Sequence, residues 1–279
     1  MKIAFLGGAF TGRMGLVETG GEGGGTVAVL PEGVGLADLS GAPPAPVTTL
    51  PLGEAVLEAP VLPDARIICV GLNFRSHAEE LGMAIPERPS VFPRYSSSLV
   101  GPGRDVILPA ASVQLDYEIE LAAVIGRHGR HIPAAEAAGH VLGYTCMAEN
   151  SVRDWQTHSR QVLPGKNFDG SGAIGPWIVT PDEMPPTADL RFETLVNGEG
   201  RQRGVGTDMI FSVEDCIAYL STFMALRPGD VIALGTPPGV AFGKPDPQWL
   251  KDGDAVEMRI SGIGSLCNTV RAEQRGEKR

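Results

Sequence analysis

Leu115-Asp116-Tyr117-Glu118-Ile119-Glu120-Leu121-Ala122-Ala123-Val124-Ile125 is the stretch on which the reading of this chain turns. Its apolar run predicts a strand, and strict alternation around Ile119 puts Glu118 and Glu120 on one face, because successive side chains of a strand point to opposite sides. Two carboxylates so held can ligate one hard divalent cation. The plainer alternative is a half-exposed strand with its polar side in water. After a short helix comes a second largely apolar strand, 141–148, that is followed by Glu149-Asn150-Ser151-Val152-Arg153-Asp154 and so adds a third carboxylate. Three carboxylates without imidazole or thiolate suit Mg²⁺, Mn²⁺ or Ca²⁺ rather than zinc.

Strand signals dominate on either side: 67–70, 106–108, 177–180, 190–196, 231–233, 255–260 and 267–270. One longer helix is predicted from Ser212, which opens a capping-box variant; Cys216, Ile217, Leu220, Phe223 and Met224 then share one face. A shorter helix covers 134–140. With 37 glycines and 23 prolines in 279 residues, the composition argues against a helical bundle and for many strands joined by tight turns. Residues 1–63 read as a small, hairpin-rich, β-rich N-terminal domain ending near a linker at 41–46, residues 64–270 as the main domain, and 271–279 as a charged tail that frays. The glycines of 7–12 do not form a dinucleotide site, because the G-x-G-x-x-G spacing fails and no amphipathic helix follows.

The net charge of −10 and the absence of basic runs argue against nucleic acid or an anionic membrane as partner. No uncharged stretch reaches the roughly 18 residues of a membrane span. The first residues read as a strand rather than a signal peptide, since no small-x-small site follows a proper apolar region. Cys69, Cys146, Cys216 and Cys267 show no C-x-x-C spacing, so reduced, buried thiols in a cytoplasmic protein are expected.

Arg75-Ser76-His77-Ala78-Glu79-Glu80-Leu81-Gly82 reads as one short helix, with Ser76 as cap, Glu79 completing a capping box and Gly82 as stop. That leaves His77 and Glu80, at i and i+3, on one face. A carboxylate beside an imidazole orients it and raises its basicity, as a general base requires; a solvated surface pair is the alternative. Lys166 lies in the turn Pro164-Gly165-Lys166-Asn167-Phe168-Asp169, and Gly235-Thr236-Pro237-Pro238-Gly239 follows strand 231–233. A solvated lysine and a simple proline turn are the alternatives there.

Taken in order, Val70-Gly71-Leu72-Asn73 with His77 and Glu80, Ser98-Leu99-Val100-Gly101-Pro102, Asp116-Tyr117-Glu118-Ile119-Glu120, Ser151-Val152-Arg153-Asp154-Trp155-Gln156, Lys166-Asn167-Phe168-Asp169, Gly175-Pro176-Trp177 and Gly235-Thr236-Pro237 resemble the fumarylacetoacetate hydrolase superfamily over 67–270. The resemblance implies an α+β, mainly β fold: a mixed β-sandwich or roll as catalytic domain, beside the small β-rich N-terminal domain. It also implies a homodimer that binds Mg²⁺ or Mn²⁺ and acts on small anionic 2-oxo or 1,3-dioxo acids. By position, Glu118, Glu120 and Glu149 would be metal ligands, His77 and Glu80 the water-activating pair, and Lys166 the partner of the reacting oxygen. Arg94, Arg153, Gln156 and Thr236 would contact substrate. Departures are Glu149 where aspartate is usual, Phe74 where tyrosine is common, Ser76 where an acid is common and Arg94 where many members have lysine. The expected activity is metal-dependent hydrolysis of a C–C bond in an acylpyruvate- or fumarylpyruvate-type acid. Decarboxylation of oxaloacetate-like acids or isomerisation of hydroxymuconate-type dienes is the alternative, and a non-catalytic small-acid binding protein is the alternative of another class.

Overall fold

Strand Ile119–Ile125 is buried along its whole length, on both faces. Ile119, Leu121, Ala123 and Ile125 join the main core with Phe192, Met258 and Leu220, whereas Ala122 and Val124 pack on the other side with Ile3, Met147 and Ile178. The half-exposed strand is thereby excluded. The computed structural model describes residues 1–20 and 24–274; residues 21–23 of the glycine cluster and 275–279 of the charged tail lie outside them.

The larger sheet runs, in spatial order, Thr48–Pro51, Gly25–Val29, Arg13–Thr19, Lys2–Leu6, Gly172–Val179, Val141–Ala148, Ile119–Ile125, Val231–Ala233, Ile67–Gly71 and Ser90–Arg94. The N-terminal strands are continuous with it, because Lys2–Leu6 pairs antiparallel with Gly172–Val179 (Lys2 opposite Val179). A second sheet runs Glu199–Val205, Arg191–Val196, Ala255–Ile260, Gly264–Ala272 and Asp105–Leu108. The fold is mainly β, as the resemblance implies. Helix Val213–Phe223 buries Cys216, Ile217 and Leu220 as its periodicity requires, and Ser212 and Asp215 cap it reciprocally. The predicted 134–140 helix is an α turn, Ala134–Ala137, continued by a 3₁₀ turn, Ala138–His140.

Three expectations need correction. The strand predicted over 115–125 is two pieces: Leu115–Asp116 pairs with Ser151–Val152, and the chain breaks at Tyr117-Glu118 before joining the large sheet. Arg271 and Ala272 are not frayed; they complete strand Gly264–Ala272 and pair with Ile107 and Leu108. Cys267 is exposed, unlike the other three cysteines, because it faces outward on that strand. Among the described residues, no helix is long and apolar enough to cross a membrane.

Candidate active site

Register brings the carboxylates together. Ile119 pairs with Ala148 and Glu120 with Met147, so Glu149 lies across from Glu118, and its N–H donates to the Glu118 carbonyl at 2.9 Å. Residues directly opposite on antiparallel strands point to the same face. Glu118, Glu120 and Glu149 thus each offer an oxygen within 4.8 Å of the others, all three buried. They line the floor of a cavity of about 840 Å³, together with His77, Arg153, Gln156, Lys166 and Thr236.

Two cations reach this floor. The Lys166 amine donates to Glu118 Oε2 at 2.6 Å and also binds Glu149, while the Arg153 guanidinium pairs with Glu118 and, at 2.8 Å, with Asp116. Burial alone would favour the neutral acid at each carboxylate. At Glu118 the charges of Arg153 and Lys166 overcome burial and hold the carboxyl well below its usual range. At Glu149 burial prevails over Lys166 and Arg94, and the pKa is raised. Glu120 is raised well above the ordinary carboxylate range: burial raises it, Glu149 and Glu118 add to that, and neither the Lys166 charge nor its hydrogen bond from Gly235 N at 2.9 Å compensates. Burial likewise opposes the charge on Lys166, but Glu118 and Glu149 outweigh it and raise the amine's pKa.

The residues fit a divalent cation. The donor set is all oxygen, as hard cations require, and Lys166 contacts Glu118 and Glu149 but not Glu120. Glu120 is therefore a buried carboxylate paired with no cationic side chain among the described residues, which is the charge that a bound Mg²⁺ or Mn²⁺ would neutralise.

Helix Arg75–Glu80 supplies the dyad. His77 Nδ1 is 2.9 Å from Glu80 Oε2, and the same carboxylate accepts from Gly239 N at 2.9 Å. Burial opposes charge on Glu80, but these hydrogen bonds and the imidazole lower its pKa, so it stays ionised at neutral pH. A donor at Nδ1 leaves the Nε2 lone pair free toward the cavity. The expected capping box is absent: Phe74 is the cap residue, Ser76 lies inside the helix and hydrogen-bonds Asp208 through both N and Oγ, and Gly82 follows the helix at φ +62. Phe74 packs edge-on to Phe192 at 5.5 Å in the core, where a tyrosine hydroxyl would need a partner.

Arg94 does not line the substrate-sized cavity. Its guanidinium is enclosed by Ser98 Oγ, Glu149 Oε1 at 2.8 Å, the Asn150 carbonyl and Ser171 Oγ, so it supports Glu149 instead of reaching toward a substrate. Two departures from the family pattern, Arg94 and Glu149, are therefore in direct contact. Arg153, Gln156 and Thr236 do line the cavity, and Arg153 Nη1 donates to Gln156 Oε1 at 2.9 Å.

Asp116 and Gln202 are further working residues that the sequence does not single out. Asp116 is wholly buried; beyond Arg153 it accepts from the N–H groups of Ala241 (2.8 Å) and Phe242 (3.0 Å), tying the 239–242 loop to the site. Its signal was its place two residues before Glu118. Gln202 belongs to the second sheet, and no local motif announces it. Asp116→Ala, which takes one carboxylate partner from the buried Arg153 guanidinium and the acceptor from three N–H groups, those of Tyr117, Ala241 and Phe242, is expected to cost about 3–5 kcal/mol, read as a lower denaturant midpoint at unchanged slope; an unaltered midpoint would contradict the assigned role.

Comparison with known proteins assigns the chain to a family of enzymes. The C-terminal fumarylacetoacetate (FAA) hydrolase family matches residues 66–271, and the chain belongs to that family. It is 41% identical over 228 residues to the mitochondrial oxaloacetate tautomerase FAHD2A of Homo sapiens, covering 81% of this chain and 73% of that one. Among solved structures it resembles the 5-carboxymethyl-2-hydroxymuconate delta-isomerase from Mycobacterium smegmatis, at 33% identity and a TM-score of 0.82 over 99% of this chain and 100% of that one. It also resembles the fumarylacetoacetate hydrolase from psychrophilic Exiguobacterium antarcticum, at 36% identity and a TM-score of 0.85 over 98% of this chain and 100% of that one.

Proposed function

We propose that the protein is an acid–base enzyme that moves a proton on a small anionic 2-oxo acid, interconverting its keto and enol forms. The observation that carries this reading is the His77 ring, held through Nδ1 by Glu80 and lining the same cavity as Lys166 and the three carboxylates. The names of the human and Mycobacterium relatives, a tautomerase and an isomerase, support it. Glu118, Glu120 and Glu149 would hold Mg²⁺ or Mn²⁺, which when bound supplies Lewis-acid polarisation of the 2-oxo group. The chain's own groups do the proton work. His77 Nε2 takes the proton from the carbon beside the oxo group while the oxygen takes up a proton from solvent to give the enol; in the reverse direction the oxygen releases its proton to solvent and the imidazolium, stabilised by Glu80, returns one to the carbon. The Lys166 ammonium meets the negative charge that develops on the oxygen, the preorganised electrostatics that usually dominate catalysis. Arg153 and Thr236 would orient the acid.

Hydrolysis of a C–C bond in an acylpyruvate-type acid is the second reading, with the same imidazole taking a proton from water. A cavity of about 840 Å³ with apolar walls at Val91, Phe92, Leu163 and Phe242 favours it, since such a volume admits more than a short 2-oxo acid. The family resemblance carries a homodimer with either reading, the cysteine spacing a cytoplasmic protein, and Tyr95 and Phe223 expose apolar surface beside a second cavity.

The purified protein with Mg²⁺ is expected to speed enol-to-keto conversion of oxaloacetate well beyond buffer, without net cleavage. Cleavage of an acylpyruvate with solvent ¹⁸O entering the carboxylate product, and no acceleration of tautomerisation, would replace the first reading by the second.

A further inference from the structure

We infer that Gln202 is a positioning residue: it sets the turn Gly235–Gly239 against the carboxylate floor and turns the Thr236 hydroxyl into a hydrogen-bond donor for the substrate. The inference rests on the cavity being the substrate site. Gln202 lies on strand Glu199–Val205 of the second sheet and is wholly buried, yet its amide bridges the two sheets. The direction of that amide follows from chemistry. The Ile119 N–H can only donate, so the atom 3.0 Å from it is Oε1; the Pro237 carbonyl can only accept, so the atom 2.9 Å from it is Nε2. Oε1 takes a second hydrogen from Thr194 Oγ1 at 2.9 Å, and Nε2 gives its second to Thr236 Oγ1 at 2.8 Å. All four hydrogen-bonding positions of the amide are used.

Thr236 Oγ1 is consequently an acceptor toward Gln202, and its own hydrogen remains to be donated. No described residue takes it, and the side chain lines the cavity, so the hydrogen is available to an acceptor there. A hydrogen-bond acceptor satisfies it, and on a small 2-oxo acid that acceptor is a carboxylate or oxo oxygen. The turn also carries two other contacts of the site: Gly235 N donates to Glu120 Oε2, and Gly239 N donates to Glu80 Oε1. Gly239 has φ +107 and packs so closely on the neighbouring strand that a Cβ there would lie 2.3 Å from the Arg201 carbonyl. A five-residue turn thus aligns a carboxylate of the floor, the donor hydroxyl and the His77–Glu80 dyad, and Gln202 is the side chain that clamps it.

Oxalate binding in the presence of Mg²⁺, measured by calorimetry on the full chain, tests the inference. Gln202→Glu puts an acceptor against the Pro237 carbonyl and draws the Thr236 hydrogen to itself. Thr236→Val removes the hydroxyl at nearly constant shape. Each is expected to weaken oxalate by about 10- to 100-fold, the range for a hydrogen bond to a charged oxygen, and the double variant is expected to be little worse than either single one, because both remove the same donor. Hydrogen exchange at the Gly239 amide should quicken in Gln202→Glu while the strands Arg191–Val196 and Ala255–Ile260 stay protected. If Gln202→Glu does not fold, Gln202→Met, similar in length and uncharged, takes its place in the cycle. Oxalate binding by the unsubstituted protein with additive losses, or with no loss in the Gln202 variant, would overturn the inference alone. No oxalate binding by the unsubstituted protein would overturn the donor assignment together with the proposed function.

Discussion

Glu120→Ala is expected to abolish divalent-metal binding, and turnover with it, while leaving the metal-free protein as stable as before or more so. Of the three carboxylates, Glu118 is already neutralised by Arg153 and Lys166, and Glu149 by Lys166 and Arg94. Among the described residues Glu120 has only a backbone N–H as hydrogen-bond partner, and burial with its acidic neighbours raises its pKa well above the ordinary carboxylate value. Removing it relieves the burial of a carboxyl that its surroundings compensate poorly and leaves two ligands already engaged by cations. Thermal melting with and without Mn²⁺ reads both halves: ligand binding raises the melting temperature by mass action, so the unsubstituted protein should shift and the variant should not. A variant that keeps the full shift would remove Glu120 from the metal site.

His77→Ala is expected to lower kcat by roughly 10²- to 10⁴-fold, the usual worth of general acid–base catalysis, with oxalate affinity nearly unchanged. The imidazole lines the cavity and bonds Glu80, and among the described residues no hydrogen bond joins it to the three carboxylates that would hold the metal, so binding and proton transfer should separate. Glu80→Gln should have a smaller effect, since an amide can still orient the ring but no longer stabilises its cation. The pH dependence follows from sign. Because the folded-state pKa of Glu80 is below its ordinary 4.5, its carboxylate supports the dyad at neutral pH and loses that support only as pH falls through the lowered value. A kcat for His77→Ala within a few-fold of the unsubstituted enzyme would assign the proton transfer to another group.

Most strands were legible because period-two alternation and apolar runs are local properties. Strands Val141–Ala148, Val231–Ala233 and Ala255–Ile260 have the bounds their composition predicts. The break at Tyr117-Glu118 was not legible, because nothing local says that Leu115–Asp116 leaves the large sheet to pair with Ser151–Val152. The Ser76 cap failed for a similar reason: Asp208, far along the chain, competes for its hydroxyl and N–H.

The site divides along the same line. Sequence alone determined that two glutamates share one strand face, a third follows the end of another strand, a lysine lies in a turn and a His–Glu pair lies on one face of a short helix, since spacing and residue type are written in the chain itself. Whether they share one cavity was decided by strand register, which places Glu149 opposite Glu118 across 31 residues of chain. Only the tertiary structure shows Arg94 turned under Glu149, Asp116 gripping Arg153 and the 239–242 loop, and Gln202 reaching across from the second sheet. Each of these is a buried polar group whose partners are distant in sequence. Satisfying a donor or acceptor away from water is a requirement of the packed interior, and which groups meet there depends on how the sheets stack.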